Sequence, residues 1–187
     1  MQTAHRQIII VLNGVGSSGK SATARALQEM ASIPLLHFSM DSFLEMLPER
    51  LFNHADGLTF KASQVDGKPI ISIEVGQVGR KLLSGMRHAV AAMAHQGNSL
   101  IGDDVMLNDE ATEYRALLDG YEVRFVRLNA PLDVLEEREG LRGDRDIGLA
   151  RGQYDIISRG DGYDLEVDTS VNTPFQTAKL LVDAFGL

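Results

Sequence analysis

An apolar run, QIIIVLN over residues 7–13, breaks into Gly14-Val15-Gly16-Ser17-Ser18-Gly19-Lys20-Ser21 and resumes as SATARALQEMA, a stretch rich in strong helix formers. Residues 14–21 satisfy G-x-x-x-x-G-K-[ST] in full and carry the strand before and the helix after that this pattern requires. Glycines let the backbone bend until successive N–H groups converge into an anion nest. The following helix brings the positive end of its dipole to the same point. Lys20 supplies a mobile charge for the β- and γ-phosphates of ATP, and the Ser21 hydroxyl is a ligand for Mg²⁺. Gly14, Gly16, Ser17, Ser18, Gly19, Lys20 and Ser21 are therefore read as the nucleotide-phosphate cradle. The competing reading is a strand-to-helix turn that only resembles one.

The rest of the chain keeps alternating. Short apolar runs at 34–39, 98–105, 122–130 and 163–170 read as further strands. Helical patterns lie at 41–51, with Asp41 or Ser42 as cap, and at 75–97, 113–120, 131–139 and 173–186, the last with Thr173 as cap and Pro174 in its first turn. Strands that are apolar throughout, separated by helices, predict a parallel sheet covered on both faces. Two β-like runs around Asp66-Gly67 predict a hairpin insertion over about 54–74. One domain spanning 1–187 is expected.

In such sheets the ligand sits at the carboxyl ends of the strands, so the residues there are the candidates. Asp41 follows the second strand, where it either accepts a proton from a substrate hydroxyl or caps the next helix. Asp103 and Asp104 close the third strand, as a magnesium-organising acid or as a turn. Arg138, Arg142 and Arg145 share one face if their segment is helical. Gly140 and Gly143 argue for mobility, and 137–150 reads as a lid that folds arginines over the phosphates. Alternatively it is a solvated surface neutralised by its own acids. The segment 167–170, with Thr169, lies where a base would rest. The five histidines have no metal-ligand spacing; His37 reads as packing in or near the site.

A net charge of −8 sets aside a general nucleic-acid surface, and the absence of cysteine excludes disulfides and thiolate zinc. No run reaches membrane-spanning length and the first residues lack an export-signal pattern, so a cytoplasmic enzyme is expected, its oligomeric state open.

NGVGSSGKS, FSMDSFLEMLP, GDDVML, REGLRGDRDIG and YDLEVDTS together resemble the chloramphenicol phosphotransferase family of P-loop kinases, over most of the chain. The resemblance implies a five-stranded parallel sheet flanked by helices, and transfer of the ATP γ-phosphoryl group to a hydroxyl of a small acceptor. It implies Asp41 as general base, Asp103 as the strand-three acid, and Arg142 and Arg145 as lid arginines. Gly16 departs from the family pattern, which has a serine near the acceptor, and this bears on the acceptor rather than on phosphoryl transfer. The apolar FLEML, LF and LTF stretches point to a partly apolar acceptor, chloramphenicol-like. A shikimate-, gluconate- or nucleoside-kinase relative would need more basic residues there than Arg50, Lys61 and Lys68. A non-catalytic nucleotide switch would need neither Asp41 nor the arginines.

Overall fold

The computed structural model describes residues 7–107, 109–142, 147–158 and 162–187. β1 (Ile8–Asn13), β2 (Leu35–Ser39), β5 (Ser99–Asp104), β6 (Glu122–Asn129) and β7 (Leu165–Asp168) form a parallel sheet in the order β2-β5-β1-β6-β7. β3 (Leu58–Val65) and β4 (Lys68–Val75) form a separate antiparallel hairpin turning at Asp66-Gly67.

β1 lies in the middle of the sheet, and its side chains divide by parity. Ile8, Ile10 and Leu12 pack under α1 (Lys20–Met30) and α7 (Pro174–Phe185), against Ala24, Leu27, Ala178 and Leu181. Ile9 and Val11 pack under α3 (Gln77–His95) and α4 (Glu110–Leu117), against Met86, Val90 and Tyr114. Every residue of β1 is buried, which is why its sequence shows no polar alternation. Gly102, in the middle of β5, looks like a weakness in an apolar strand. The Phe38 ring occupies the space its side chain would need: a Cβ there would stand 1.9 Å from Phe38 Cζ.

Two elements differ from the expectation. The helix after β2 is only α2, Met40–Leu44, followed by a 3-10 turn at Glu49–Leu51. Its N-cap is Ser39, so Asp41 lies inside the first turn and neither it nor Ser42 is the cap. Pro48 marks the break, since the residue before a proline is driven out of the helical region.

The second difference is the extent of helix in and beyond the segment read as a lid. α5 runs Leu132–Arg142, straight through Gly140, and a further helix α6 covers Leu149–Ser158. Glu139, 1% exposed, accepts the Gly148 N–H at 2.7 Å and the Ala150 N–H at 2.8 Å. Its carboxylate thus serves the otherwise orphan donors at the start of α6. α7 starts as expected, with a capping box between Thr173 and Gln176 and Pro174 at its first position. Among the described residues no helix is long and apolar enough to cross a membrane.

Candidate active site

The loop 14–21 joins β1 to α1 at the carboxyl edge of the sheet. Ser17 and Gly19 both take positive φ, 64° and 91°. Ser17 holds a backbone state that non-glycine residues rarely adopt, as is common where a loop is shaped for a ligand. No side chain caps α1 and no acid stands in its first turn, so its N–H groups remain available to an anion. Ser17 Oγ and Ser18 Oγ are buried without a hydrogen-bond partner among the described residues. Buried hydroxyls are normally paired, and two orphans in one anion nest fit a phosphate chain.

Lys20, 7% exposed, donates from Nζ to Gly14 O at 2.7 Å and to Val15 O at 3.1 Å, and lies 3.8 Å from Asp103 Oδ1. The Ser21 hydroxyl donates to Asp103 Oδ2. The structure therefore brings Lys20, Ser21 and Asp103 together across the β1–β5 boundary. Asp104 goes elsewhere, because neighbouring side chains on a strand point to opposite faces. It is 2% exposed under α4, where it accepts from Tyr114 Oη at 3.0 Å and from the Val105 N–H at 2.7 Å. Burial pushes its carboxyl above the ordinary range despite these donors.

Ser21 Oγ and Asp103 form a set of hard oxygens suited to Mg²⁺, which keeps several waters and takes only one or two protein ligands beside substrate phosphates. Among the described residues no cluster of three acids or histidines offers a complete protein cage for a metal. His37, on β2, has its Nε2 buried without a partner among the described residues, and desolvation holds its imidazole below the ordinary value against the pull of Asp103.

On the other side of the loop, Ser17, Gly19, Thr23, Arg138, Thr169 and Pro174 line a cleft of about 270 Å³. Arg138 donates to Thr169 Oγ1 at 3.1 Å and to Thr169 O at 2.7 Å. Thr169 is itself fixed by donating to Asn129 O at 3.0 Å. The Ser170 hydroxyl and N–H hold the neighbouring Asp168 carboxyl below the usual carboxylate range, with Arg138 adding to the effect. Arg142, four residues on from Arg138, is exposed in the last turn of α5, and Arg145 lies outside the described residues. Asp41 is exposed on α2, beyond β2 at the far edge of the sheet from this cleft.

Two further residues hold the loop, and a third holds the helix that carries one of them. Asn13 Oδ1 accepts the Gly14 N–H at 3.0 Å and the Met106 N–H at 2.8 Å. Gln153, on α6, accepts the Gly16 N–H at 3.0 Å. Glu139 anchors α6 itself, as described above. The pattern of α6, with Ala150, Tyr154 and Ile157 facing inward around Gln153, carried the signal for this helix.

The chloramphenicol phosphotransferase-like family model matches residues 7–186. A Mycobacterium tuberculosis (strain H37Rv) protein with the provisional name of O-phosphotransferase is 27% identical over 183 residues, 95% of this chain and 81% of the relative. Among solved structures, the Mycobacterium tuberculosis APS kinase CysC in complex with AMPPNP and APS superposes with a TM-score of 0.67 at 17% identity, over 97% of this chain and 99% of that one. A gluconokinase from Sinorhizobium meliloti 1021 superposes with a TM-score of 0.66 at 19% identity, over 95% and 90%. At such identities the structures speak for the fold, a helix-flanked parallel sheet of the P-loop kinase type. With the family model matching nearly its whole length, the chain belongs to the chloramphenicol phosphotransferase-like family and is a small-molecule kinase.

Proposed function

We propose that the protein transfers the γ-phosphoryl group of ATP to a hydroxyl of a small, uncharged and partly apolar acceptor. The observation that carries this is the meeting of Lys20, Ser21 and Asp103 beside two orphan serine hydroxyls in an uncapped helix start. Gly14, Gly16, Ser17, Ser18, Gly19, Lys20 and Ser21 cradle the phosphates, and the nucleoside lies in the cleft with Arg138 and Thr169. Ser21 and Asp103 would hold Mg²⁺, which would supply positive charge against that developing on the phosphates. Asp41 orients the attacking hydroxyl and takes its proton. Lys20, Arg142 and Arg145 stabilise charge on the transferring group, with 137–150 acting as lid.

The use of the basic side chains supports this acceptor class: of Arg50, Lys61 and Lys68, two are paired with acids and only Arg50 is exposed without an acid partner among the described residues. Lys61 pairs with Glu74 at 2.5 Å, Lys68 with Glu136 at 3.3 Å, and Arg151 also with Glu136. Arg87 pairs with Glu113 at 2.5 Å, and Arg80 donates to Val75 O. A polyanionic acceptor would need several cations free of such partners. The segment after Asp41 instead exposes Met46 and Phe52. One kinase domain over 1–187, working in the cytoplasm on small molecules rather than nucleic acid or membrane, goes with the net charge of −8.

The test is phosphorylated product by mass spectrometry, wild type beside Asp41→Asn, with ATP, magnesium and chloramphenicol as first acceptor. Asparagine keeps the size of the side chain but cannot take the proton, so a loss of about 10²–10⁴-fold is expected, with ATP affinity little changed. Equal product from both proteins would exclude Asp41 as the base. Product from shikimate, gluconate or a nucleoside, with none from chloramphenicol-like alcohols, would replace this acceptor class by a polar metabolite.

A further inference from the structure

Gln153 interrupts an otherwise apolar stripe. Ala150, Tyr154 and Ile157 on the same helix pack with Val15, Ala130 and Leu135. A glutamine in such a place is costly unless its polar atoms are used. It is 9% exposed, and its Oε1 accepts the Gly16 N–H at 3.0 Å. Because that partner is a donor, the atom facing it must be the amide oxygen.

The Gly16 N–H belongs to the same peptide unit as the Val15 carbonyl, and that carbonyl accepts from Lys20 Nζ at 3.1 Å. In a trans peptide the C=O and N–H point in opposite directions. The Val15–Gly16 peptide is therefore held from both sides, by a cation on its oxygen and an amide oxygen on its hydrogen. Glycine offers little resistance to a peptide flip. A flip would turn the N–H toward the ammonium of Lys20 and remove one of its carbonyl partners.

α6 is fixed in turn. Its start is served by Glu139, and Gly148 O accepts the Ile71 N–H of β4 at 3.0 Å. At Gly152 the helix approaches β4 so closely that a Cβ would stand 2.0 Å from Ile71 O.

We propose that Gln153 is a positioning residue: through the Val15–Gly16 peptide it sets the Lys20 head group, and through α6 it couples the phosphate loop to the β3–β4 hairpin. This rests on the assignment of the loop to ATP phosphates. Occupation of the loop by a nucleotide is then felt at Ile71, more than fifty residues away in sequence from Gly16.

The test measures affinity for magnesium-AMPPNP and amide hydrogen exchange in β4, Ile71 above all, with and without nucleotide. In the wild type, nucleotide should slow exchange in both the phosphate loop and β4. Gln153→Met keeps length and helix propensity but replaces the amide oxygen by a thioether, at best a weak acceptor. It should weaken nucleotide binding about tenfold, the scale of one buried N–H left unpaired, and at saturation β4 should no longer respond. Gln153→Glu keeps an acceptor at the same reach and should restore the β4 response. A full β4 response in saturated Gln153→Met, or none in the nucleotide-bound wild type, would overturn the proposal and leave the loop assignment standing. If Gln153→Met does not fold, loss of the response in a folded Gln153→Glu overturns it equally. A wild type that binds no nucleotide would remove the loop assignment and this proposal with it.

Discussion

Replacing Glu139 by alanine probes how the start of α6 is held. The carboxylate is almost fully enclosed and serves two backbone donors, Gly148 N–H at 2.7 Å and Ala150 N–H at 2.8 Å. A hydrogen bond to a charged group contributes about 1.5–3 kcal/mol. The pair therefore represents about 3–6 kcal/mol before compensation. Alanine recovers the cost of burying the carboxylate, and water entering the gap serves part of the exposed donors. A net loss of about 2–3 kcal/mol is expected. For a chain of 187 residues each kcal/mol moves the melting temperature by roughly 2–4 °C, so Tm should fall by about 4–12 °C. Glu139→Gln keeps one acceptor but turns an NH₂ toward the second donor, and should fall between wild type and alanine. Thermal unfolding followed by circular dichroism measures all three. A Glu139→Ala protein melting within 2 °C of wild type would show that α6 does not depend on this carboxylate, and the coupling of α5 to α6 would have to be abandoned.

Arg142→Ala and Arg145→Ala should each lower turnover by about 10- to 100-fold while ATP affinity changes much less, because charge on the transferring group peaks in the transition state; wild-type turnover in both variants would mark the segment as plain surface. His37 should make the protein less stable in mild acid. Its folded pKa is depressed by burial, so the unfolded chain binds the proton more readily and stability falls as pH drops through about 6.5 toward the folded value. Denaturant unfolding at pH 7 and pH 5.5 should show a smaller loss in His37→Gln than in wild type, and equal losses would refute the assignment. Tyr114→Phe removes the hydroxyl that donates to the buried Asp104 carboxyl and should cost about 1–3 kcal/mol in the same assay, with no change in nucleotide affinity, since Asp104 faces away from the loop.

The phosphate loop was readable because its physics is local. The bend, the lysine and the hydroxyl sit within one stretch, flanked by the elements they need. The parallel sheet was readable for a related reason, since a strand covered on both faces has no room for polar alternation, and β1 is buried at every position. Choosing between Asp103 and Asp104 needed more. Strand periodicity says they point opposite ways, but not which face carries α1 and the loop. α6 was hidden by the glycines and charges around it, which read as a mobile arginine-rich stretch. Its apolar stripe, broken by one glutamine, is weak until Val15 and Leu135 are placed against it. The short α2 shows the opposite error: a helical pattern was continued across Pro48, where the backbone cannot follow.

The polar residues whose structural role the sequence reading missed, Glu139 among them as a supposed surface acid, have one property in common. Asn13, Glu139 and Gln153 all accept hydrogen bonds from backbone N–H groups, at Gly14 and Met106, at Gly148 and Ala150, and at Gly16. A side chain that meets another side chain leaves two marks in the sequence, and Ser21 with Asp103 is such a pair. A side chain that meets a backbone amide leaves one, because every residue but proline carries that amide. The partners here include three glycines, which offer no side chain for recognition and whose backbone is the easiest to reorient. A loop built from glycines to admit phosphates therefore has to be held from outside, by acceptors brought from β1 and α6. That requirement explains why glutamine stands in an apolar stripe. On the proposed function it also separates two tasks within one site: the loop residues set what binds, and the acceptors around them set how rigidly the loop is held.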